Sequence, residues 1–429
     1  MNSFVGVPVL RDILRLPLTG PVNGALYTAV LVLGALLIAW RLKRRDGLSL
    51  LLALPLVVAA YAALRRWDVP VHLFVAGLVP VVAVISLIHH SGRRALMAAV
   101  AVVSAVATAG LVNVEYQSYP DVGSLDPQPV APEMSYAESS SRGLESPGAD
   151  HSAAGSGAAI VHVDLPGRSS GFHARQAIAY LPPAYWTQRL PVLVLLHGNP
   201  GGPEQWFGAG EAAETADAFQ RANGGLSPIV VAVDATGSES ANPICVDSPM
   251  ANVMTYLSRD VPQDLKQLFR VDEDQEHWTL AGLSYGGTCS LQVLTTHPEA
   301  FGSIVDISGE PEPTIGSHRA TVEKFFGGSE RAFAANNPAD LLSTQRYPGK
   351  KAVFITGNRD EVSLDALREL SEKARRAGIA TFYGIRPGGH SFDVWRPALR
   401  DTFAWAAYRG GLSTTTDPFD GVHDDDVHL

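Results

Sequence analysis

The sequence predicts an α/β domain, with a mostly parallel sheet covered by helices, preceded by an all-α membrane domain of about four transmembrane helices. Two observations predict this architecture. Apolar residues are concentrated in four long runs at the start of the chain, and from about residue 158 short β-branched runs alternate with helical stretches. Such alternation is typical of a parallel sheet with helices on both faces.

The first 113 residues (1–113) are predicted to form the membrane domain. Their apolar runs, separated by short polar or basic breaks, lie at 24–40, 49–64, 71–88 and 95–113. Each run is near the roughly 20 residues that a helix needs to cross a bilayer. A buried helical core is the weaker alternative, because the runs lack the one-sided apolar stripe of a helix packed on a soluble core.

Basic residues between the runs indicate the orientation of these helices. The breaks after the first and third runs contain Arg41, Lys43, Arg44, Arg45, Arg93 and Arg94. Because Lys and Arg accumulate on the cytoplasmic side, the region after residue 113 is predicted to lie outside the cytoplasm. A smaller number of basic residues, before the first run and after the second, favours the opposite orientation. Cleavage after Ala107-Thr108-Ala109, which has a small-x-small form, is an alternative that would release the rest of the chain.

Two segments outside the folded domains have biased composition. Residues 114–157 are rich in Pro, Ser, Gly and acidic residues without periodicity, which predicts a flexible linker. Residues 411–429 are rich in Thr and Asp, which predicts a disordered acidic tail. His423 and His428 in that tail raise the question of a metal site, but flexible acidic tails rarely form one, so no metal and no cofactor are predicted. The net charge of −10 and the lack of a basic stripe argue against a nucleic-acid partner.

Residues 158–410 are predicted to form the α/β domain. The strand candidates are 158–164, 175–181, 191–197, 228–234, 278–282, 303–307, 351–356 and 381–385. The helix candidates are 205–222, 249–269, 284–297, 363–378 and 392–408. The early strand pair is predicted to be antiparallel and the later strands parallel. The Pro- and Gly-containing segment 311–345 interrupts the alternation and is a candidate cap over a site.

A glycine-flanked serine joins a predicted strand to a predicted helix. The sequence there is Gly282-Leu283-Ser284-Tyr285-Gly286. This G-x-S-x-G pattern predicts a nucleophile elbow, in which a strained turn exposes the serine hydroxyl and the glycines allow close backbone approach. Ser284 is therefore the predicted nucleophile.

A serine nucleophile needs a histidine base and an acid that orients the imidazole, and in this architecture they follow the serine in the order acid, histidine. His390 is the predicted base, because it lies in a Gly388-Gly389 loop between the last strand and the last helix. Asp360, on the loop after strand 351–356, is the predicted acid. Its neighbour Glu361 is the second choice, and Asp306, one strand earlier, is a more distant alternative.

An oxyanion hole requires two backbone N–H groups directed at the developing negative charge. One is predicted to come from Tyr285, directly after the nucleophile. The second is predicted from Asn199, in the loop His197-Gly198-Asn199-Pro200 after strand 191–197, since Pro200 has no N–H. His197 is interpreted as a structural residue that holds this loop.

Cys245 and Cys289 are the two cysteines of the chain. In an exported domain they are a possible disulfide, and Cys289 would lie on the helix that follows Ser284. The alternative is two separate buried thiols.

Four motifs together resemble the "Putative esterase" family of α/β-hydrolases, which includes esterase D-like enzymes, feruloyl esterases and mycolyltransferases. They are Leu195-Leu196-His197-Gly198, Gly282-Leu283-Ser284-Tyr285-Gly286-Gly287, Gly357-Asn358-Arg359-Asp360 and Gly389-His390-Ser391-Phe392 with Trp395. The resemblance spans nearly all of 158–408. It implies the α/β-hydrolase fold and an esterase or acyltransferase with a Ser-Asp/Glu-His triad and no metal. The membrane domain is no feature of the secreted mycolyltransferases and is more similar to membrane-anchored actinobacterial esterases.

The leading hypothesis is a membrane-tethered serine esterase or acyltransferase that works on the extracytoplasmic side through an acyl-Ser284 intermediate. Its position beside lipid suggests a lipid-linked ester, such as a mycolyl or other acyl glycolipid or an aminoacyl phospholipid. Hydrolysis and transfer both remain open at this stage. The alternative, from another class, is a non-catalytic hydrolase-fold domain used as a membrane scaffold.

Overall fold

A computed structural model of the chain describes residues 12–41, 47–64, 69–89, 94–141 and 157–412, together with residues 417, 419, 427 and 428. The chain divides into two compact units, Met1–Pro127 and Gln128–Leu429. Residues 142–156 of the predicted linker and most of the predicted acidic tail, including His423, lie outside the described residues.

The first unit is helical. Its long helices are α1 (Pro21–Arg41), α2 (Gly47–Leu64), α3 (Val71–His89) and α4 (Arg94–Tyr116), and they coincide with the four apolar runs. Three segments, Pro21–Trp40, Val71–Ile88 and Arg94–Tyr116, are long and apolar enough to cross a membrane, whereas the apolar part of α2, Ser49–Ala63, is shorter. Many of their large apolar side chains point outward, including Leu36 and Leu51. An apolar surface of this extent is typical of a helix in contact with lipid.

The second unit is built on a twisted sheet whose strand order is β1-β2-β3-β5-β4-β8-β9-β10-β11-β12. Its strands are β1 (Glu133–Ser135), β2 (Ala159–Val163), β3 (Ala177–Leu181), β4 (Val192–Leu196), β5 (Ile229–Val233), β8 (Thr279–Leu283), β9 (Ser303–Ile307), β10 (Lys351–Gly357), β11 (Ala380–Arg386) and β12 (Val427–His428). Strand β3 is antiparallel to β2 and β5, and the other pairs are parallel. A separate hairpin joins β6 (Asp247–Ser248) and β7 (Ala251–Asn252).

Helices cover both faces of this sheet. They are α5 (Tyr136–Ser141), α6 (Glu204–Phe207), α7 (Ala212–Ala222), α8 (Val253–Thr255), α9 (Val261–Leu268), α10 (Tyr285–Thr296), α11 (His318–Phe326), α12 (Glu330–Ala334), α13 (Pro338–Thr344), α14 (Ser363–Arg376) and α15 (Phe392–Arg409). Strand β4 shows why both faces are buried: Val192, Val194 and Leu196 belong to one core cluster, and Leu193 and Leu195 belong to the other. Side chains alternate across a strand, so an unbroken apolar strand needs cover on both sides. The predicted α/β-hydrolase architecture is confirmed.

Some local predictions differ from the structure. Strand β1 and helix α5 lie inside the predicted linker 114–157, because Glu133–Ser135 pair in parallel with Ile160–His162 at the edge of the sheet. The predicted helix 205–222 is interrupted between α6 and α7, where Glu211 adopts a left-handed φ of 52°. The predicted helix 249–269 starts as a hairpin and contains a π-helical turn at Tyr256–Asp260. These deviations depend on pairing and packing partners that lie far away in the sequence.

Candidate active site

Ser284 lies between the end of β8 and the start of α10, in a tight turn with a strained backbone. Its φ of 53° and ψ of −120° are unusual for a residue with a side chain, and such strain is concentrated at functional sites. A Cβ on Gly282 would lie 2.1 Å from the carbonyl oxygen of Gly286, and a Cβ on Gly286 would lie 2.3 Å from that of Leu196. Glycine is therefore required at both flanking positions, as the G-x-S-x-G pattern predicts.

The structure brings His390 and Asp360 to this serine. His390 lies in the loop between β11 and α15, and its Nε2 is 2.8 Å from Ser284 Oγ. Its Nδ1 is 2.8 Å from Asp360 Oδ2. With Asp360 ionised, Nδ1 carries the ring proton and donates it to the carboxylate, which leaves Nε2 as the acceptor for the serine hydroxyl. The three side chains thus form a continuous hydrogen-bonded chain.

Asp360 is the carboxylate that contacts the imidazole. Burial alone would raise the pKa of Asp360, but the hydrogen bond and the charge of His390, with the N–H of Ser363, hold that pKa below its usual value. Glu361, the second choice, has an exposed side chain. Asp306, the distant alternative, is fully buried and accepts a hydrogen bond from the N–H of Gly309 at 2.9 Å. Burial raises the pKa of Asp306 to about 8, so it is a neutral acid at pH 7.

Trp395 packs against His390 from the first turn of α15. Its ring lies edge-on to that of His390, with centroids 5.0 Å apart and planes at 88°. Phe392 packs edge-on against the same tryptophan at 4.9 Å. The Gly-His-Ser-aromatic…Trp motif therefore supplies an apolar wall that restricts the rotation of the imidazole.

The two predicted oxyanion residues flank the serine. Tyr285 is the first residue of α10, and an N–H in the first turn of a helix has no carbonyl partner within that helix. Asn199 belongs to the loop after β4, which packs against the elbow so closely that a Cβ on Gly198 would lie 2.6 Å from Leu283 Cδ1. The N–H of Gly198 itself donates to Gln205 Oε1 at 3.0 Å. Asn199 thus follows a residue whose N–H is already bound to a side chain of α6.

A buried charged network lies behind the loop 197–202. His197 Nε2 is 3.1 Å from Asp234 Oδ1, and the Arg175 guanidinium donates to the same oxygen at 2.9 Å. Arg175 also donates to the carbonyl oxygen of Gly201 at 2.7 Å. Burial would raise the pKa of Asp234, but hydrogen bonds from His197 and Arg175 lower it far below its usual value. His197 therefore has the structural position that the sequence indicated.

Sequence reasoning missed Arg175 and Asp234. A signal was present for Asp234, because it directly follows the buried strand β5, at the same sheet edge as His197. Carboxyl ends of neighbouring parallel strands meet at one edge, so the two side chains had to be close. Arg175 carried no such signal, since it precedes the antiparallel strand β3.

The two cysteines are joined. Cys245 and Cys289 form a disulfide with their Cα atoms 5.6 Å apart, which connects the loop after β5 to α10.

The segment 311–345, the candidate cap, folds into helices α11, α12 and α13. Its Thr314 carbonyl accepts a hydrogen bond from Asn242 Nδ2 at 3.0 Å, and Phe325 clusters with Ile244. The cap segment therefore packs on the cross-linked loop.

Comparison with known proteins finds relatives of this chain. The family model described as "Putative esterase" matches residues 173–406. An uncharacterised protein of Corynebacterium glutamicum is 50% identical over 351 residues, which cover 79% of this chain and 81% of that protein. That match is longer than residues 158–429, so it includes part of the first 157 residues.

More distant proteins share the α/β unit. The iron(III) salmochelin esterase of Escherichia coli is 24% identical over 235 residues, which cover 53% of each chain. A solved ferulic acid esterase structure superposes with a TM-score of 0.50 at 20% identity and covers 59% of this chain and 99% of that one. At this identity the superposition shows the fold alone.

Proposed function

Because the chain belongs to the "Putative esterase" family and is a serine ester hydrolase by family and fold, we propose that Ser284, His390 and Asp360 are its nucleophile, base and orienting acid. One observation carries this assignment: Ser284 Oγ, at a strained turn, is 2.8 Å from His390 Nε2, whose other nitrogen is 2.8 Å from the buried Asp360 carboxylate. This arrangement matches what a serine needs to become nucleophilic at neutral pH.

The proposed reaction proceeds in two steps. Ser284 Oγ attacks the ester carbonyl carbon while its proton passes to His390 Nε2, and the carbonyl oxygen becomes an oxyanion held by the N–H groups of Tyr285 and Asn199. The carbon–oxygen bond to the alcohol then breaks, and the alcohol leaves with the proton from His390. In the second step His390 takes a proton from water or from an acceptor hydroxyl, whose oxygen attacks the acyl-Ser284 carbonyl carbon. The bond from that carbon to Ser284 Oγ then breaks, His390 returns the proton to Ser284 Oγ, and the acyl product is released.

We further propose that this chemistry takes place on the extracytoplasmic side of a membrane. The three long apolar helices support membrane attachment. The disulfide Cys245–Cys289 supports the extracytoplasmic side, because disulfides persist in oxidising compartments. With the shorter α2 also crossing the membrane, as the sequence predicts, the basic residues after α1 and α3 favour the same side. A lipid-linked ester, such as an acyl glycolipid or an aminoacyl phospholipid, is the proposed substrate class for a site held beside lipid.

Replacement of the nucleophile tests the assignment. The full-length chain in detergent is expected to hydrolyse p-nitrophenyl butyrate, and Ser284→Ala is expected to reduce kcat by about 10⁴-fold or more. Ser140→Ala is the matched control, because this exposed serine lies in α5, which packs against the edge strands β1 and β2, and it donates to Ala137 O. Equal hydrolysis by Ser284→Ala and wild type would reject the proposed mechanism.

The substrate class is tested in cells. A strain carrying Ser284→Ala is compared with wild type by lipid profiling of its envelope. Accumulation of a lipid-linked ester indicates hydrolysis, and disappearance of one indicates transfer to an acceptor. An unchanged lipid profile, with p-nitrophenyl butyrate hydrolysis intact in wild type, would contradict the lipid-linked substrate but not the triad.

A further inference from the structure

The loop 235–245, which follows β5, contacts both sides of the proposed oxyanion hole. On one side it contacts Tyr285, the residue after the nucleophile. On the other side it contacts the loop that contains Asn199. A single segment of about ten residues thus links two backbone donors that come from different strands of the sheet.

The first link is the phenol of Tyr285. This side chain is buried, and its hydroxyl donates to the carbonyl oxygen of Ala235 at 3.1 Å. The phenol oxygen of Tyr285 in turn accepts the N–H of Cys245 at 3.3 Å. Burial raises the pKa of Tyr285, so the hydroxyl stays protonated and keeps its donor role. The two ends of the loop 235–245 are therefore joined to one side chain of α10.

The second link is the carboxamide of Asn199. Its Nδ2 donates to the carbonyl oxygen of Ala241 at 2.9 Å, and nearby the N–H of Gly201 donates to that of Glu239 at 3.0 Å. These bonds hold the loop after β4 on the middle of the loop 235–245. The disulfide adds a covalent connection from Cys245 to Cys289, one turn after Tyr285 on α10.

We infer that the Tyr285 hydroxyl and the Asn199 carboxamide are positioning groups, which set the separation of the Tyr285 and Asn199 backbone N–H groups through the loop 235–245. This inference rests on the proposed function. Stabilisation of an oxyanion depends on donors fixed in place before the reaction, and a displacement of about 1 Å can cost as much as 100-fold in rate. Neither positioning group contacts the reacting atoms, so their loss alters the geometry of the hole and leaves Ser284, His390 and Asp360 bonded to each other.

Tyr285→Phe and Asn199→Ala test the two links. The first removes the hydrogen bonds of the phenol to Ala235 and Cys245, the second removes the bond to Ala241, and both keep the backbone N–H. For p-nitrophenyl butyrate hydrolysis by the full-length chain, each variant is expected to lower kcat by about tenfold. KM is expected to stay within about twofold, and the pH profile of kcat/KM is expected to stay unchanged, because His390 and Asp360 keep their bonds. An alkylboronic acid, which forms a tetrahedral adduct on the serine oxygen, is expected to bind more weakly by a similar factor.

Tyr347→Phe is the matched control. Tyr347 is a buried tyrosine whose hydroxyl donates to the carbonyl oxygen of Thr295 at 2.9 Å, near the far end of the same helix α10. It is expected to reduce thermal stability as Tyr285→Phe does, without a comparable loss of kcat. The double variant Tyr285→Phe, Asn199→Ala is expected to lose less than the product of the single losses, because both changes release the same loop.

The inference is wrong if both single variants keep wild-type kcat and boronate affinity while Ser284→Ala is inactive. It is also wrong if Tyr347→Phe lowers kcat as much as Tyr285→Phe, since the effect would then follow stability alone. Activity retained by Ser284→Ala would instead reject the proposed function itself. If Tyr285→Phe does not fold, Asn199→Ala, on a loop at the surface of the sheet edge, decides the question by the same measurements.

Discussion

Two histidine–aspartate pairs lie at the carboxyl ends of the parallel strands, yet their surroundings differ. His390 and Asp360 follow β11 and β10, whereas His197 and Asp234 follow β4 and β5. The His390 side chain is 39% exposed, and one ring nitrogen faces the hydroxyl of Ser284. The His197 side chain is 0% exposed, and its two nitrogens lie against Asp234 and the carbonyl of Gly198. The same residue types therefore serve different purposes, depending on what the second nitrogen faces.

The carboxylates of the two pairs differ as well. Asp360 contacts His390 and accepts the N–H of Ser363, an arrangement that suits its proposed role in orienting the imidazole. Asp234 is shared between His197 and Arg175, and it also accepts the N–H groups of Arg175 and Thr236. A carboxylate saturated by fixed donors and a guanidinium is a structural anchor for the loop it holds. A histidine near an aspartate is thus no evidence of catalysis without a nucleophile on its other nitrogen.

The largest expected effect on kcat comes from replacing the histidine of each pair by glutamine. His390→Gln is expected to reduce kcat on p-nitrophenyl butyrate by about 10⁴-fold or more. Only a small change in Tm is expected, because the lost side chain is 39% exposed and the buried Asp360 keeps its hydrogen bond from the N–H of Ser363. His197→Gln is expected to do the reverse, with a lower Tm and a smaller loss of kcat. Steady-state kinetics and thermal unfolding of the full-length chain measure both. If His197→Gln proves the more damaging to kcat, the roles assigned to the two pairs must be exchanged.

A smaller effect on kcat is expected from the loss of Arg175, which binds Asp234 behind the loop 197–202. Arg175→Met removes the guanidinium partner of the buried Asp234, and removal of one member of a buried pair costs about 3–5 kcal/mol. We expect a clear loss in thermal stability and a moderate loss of kcat, through the loop 197–202. Arg189→Met is the control, since the Arg189–Glu273 pair is exposed on both sides and is expected to contribute about 1 kcal/mol or less. Equal stability of the two variants would show that Arg175 does not anchor the loop.

The sequence was sufficient for the features that depend on local pattern. Strand and helix alternation located the sheet, because an apolar run of five residues such as β4 can be buried on both faces only in a covered sheet. The elbow and the order of Asp360 and His390 follow from the chain order of the fold, and the structure brings these three side chains together. These predictions required no knowledge of distant contacts.

The rest of the site depends on contacts that no local pattern shows. Strand β1 is three residues long and forms only because β2 offers a free edge. The bond from Tyr285 to Ala235 spans 50 residues, and that from Asn199 to Ala241 spans 42 residues. Whether Cys245 and Cys289 pair also depends on the approach of α10 to the loop after β5. Long-range hydrogen bonds of this kind are set by packing, so sequence reasoning left them open.

Replacement of Asp306 is expected to have the smallest effect on kcat. It extends the comparison of Asp360 and Asp234, because Asp306 is a buried carboxyl near the same ends of the strands but has no cationic partner among the described residues. Burial raises its pKa to about 8, so the folded protein binds a proton there that the unfolded chain releases near pH 4. Its contribution to stability is therefore full below about pH 4 and is lost as the pH rises through about 8. Asp306→Asn imitates the protonated form. The variant is expected to keep wild-type kcat and to gain in Tm over wild type as the pH rises from 4.5 to 8.5. A constant Tm difference across that range would mean that Asp306 is already ionised in the folded protein.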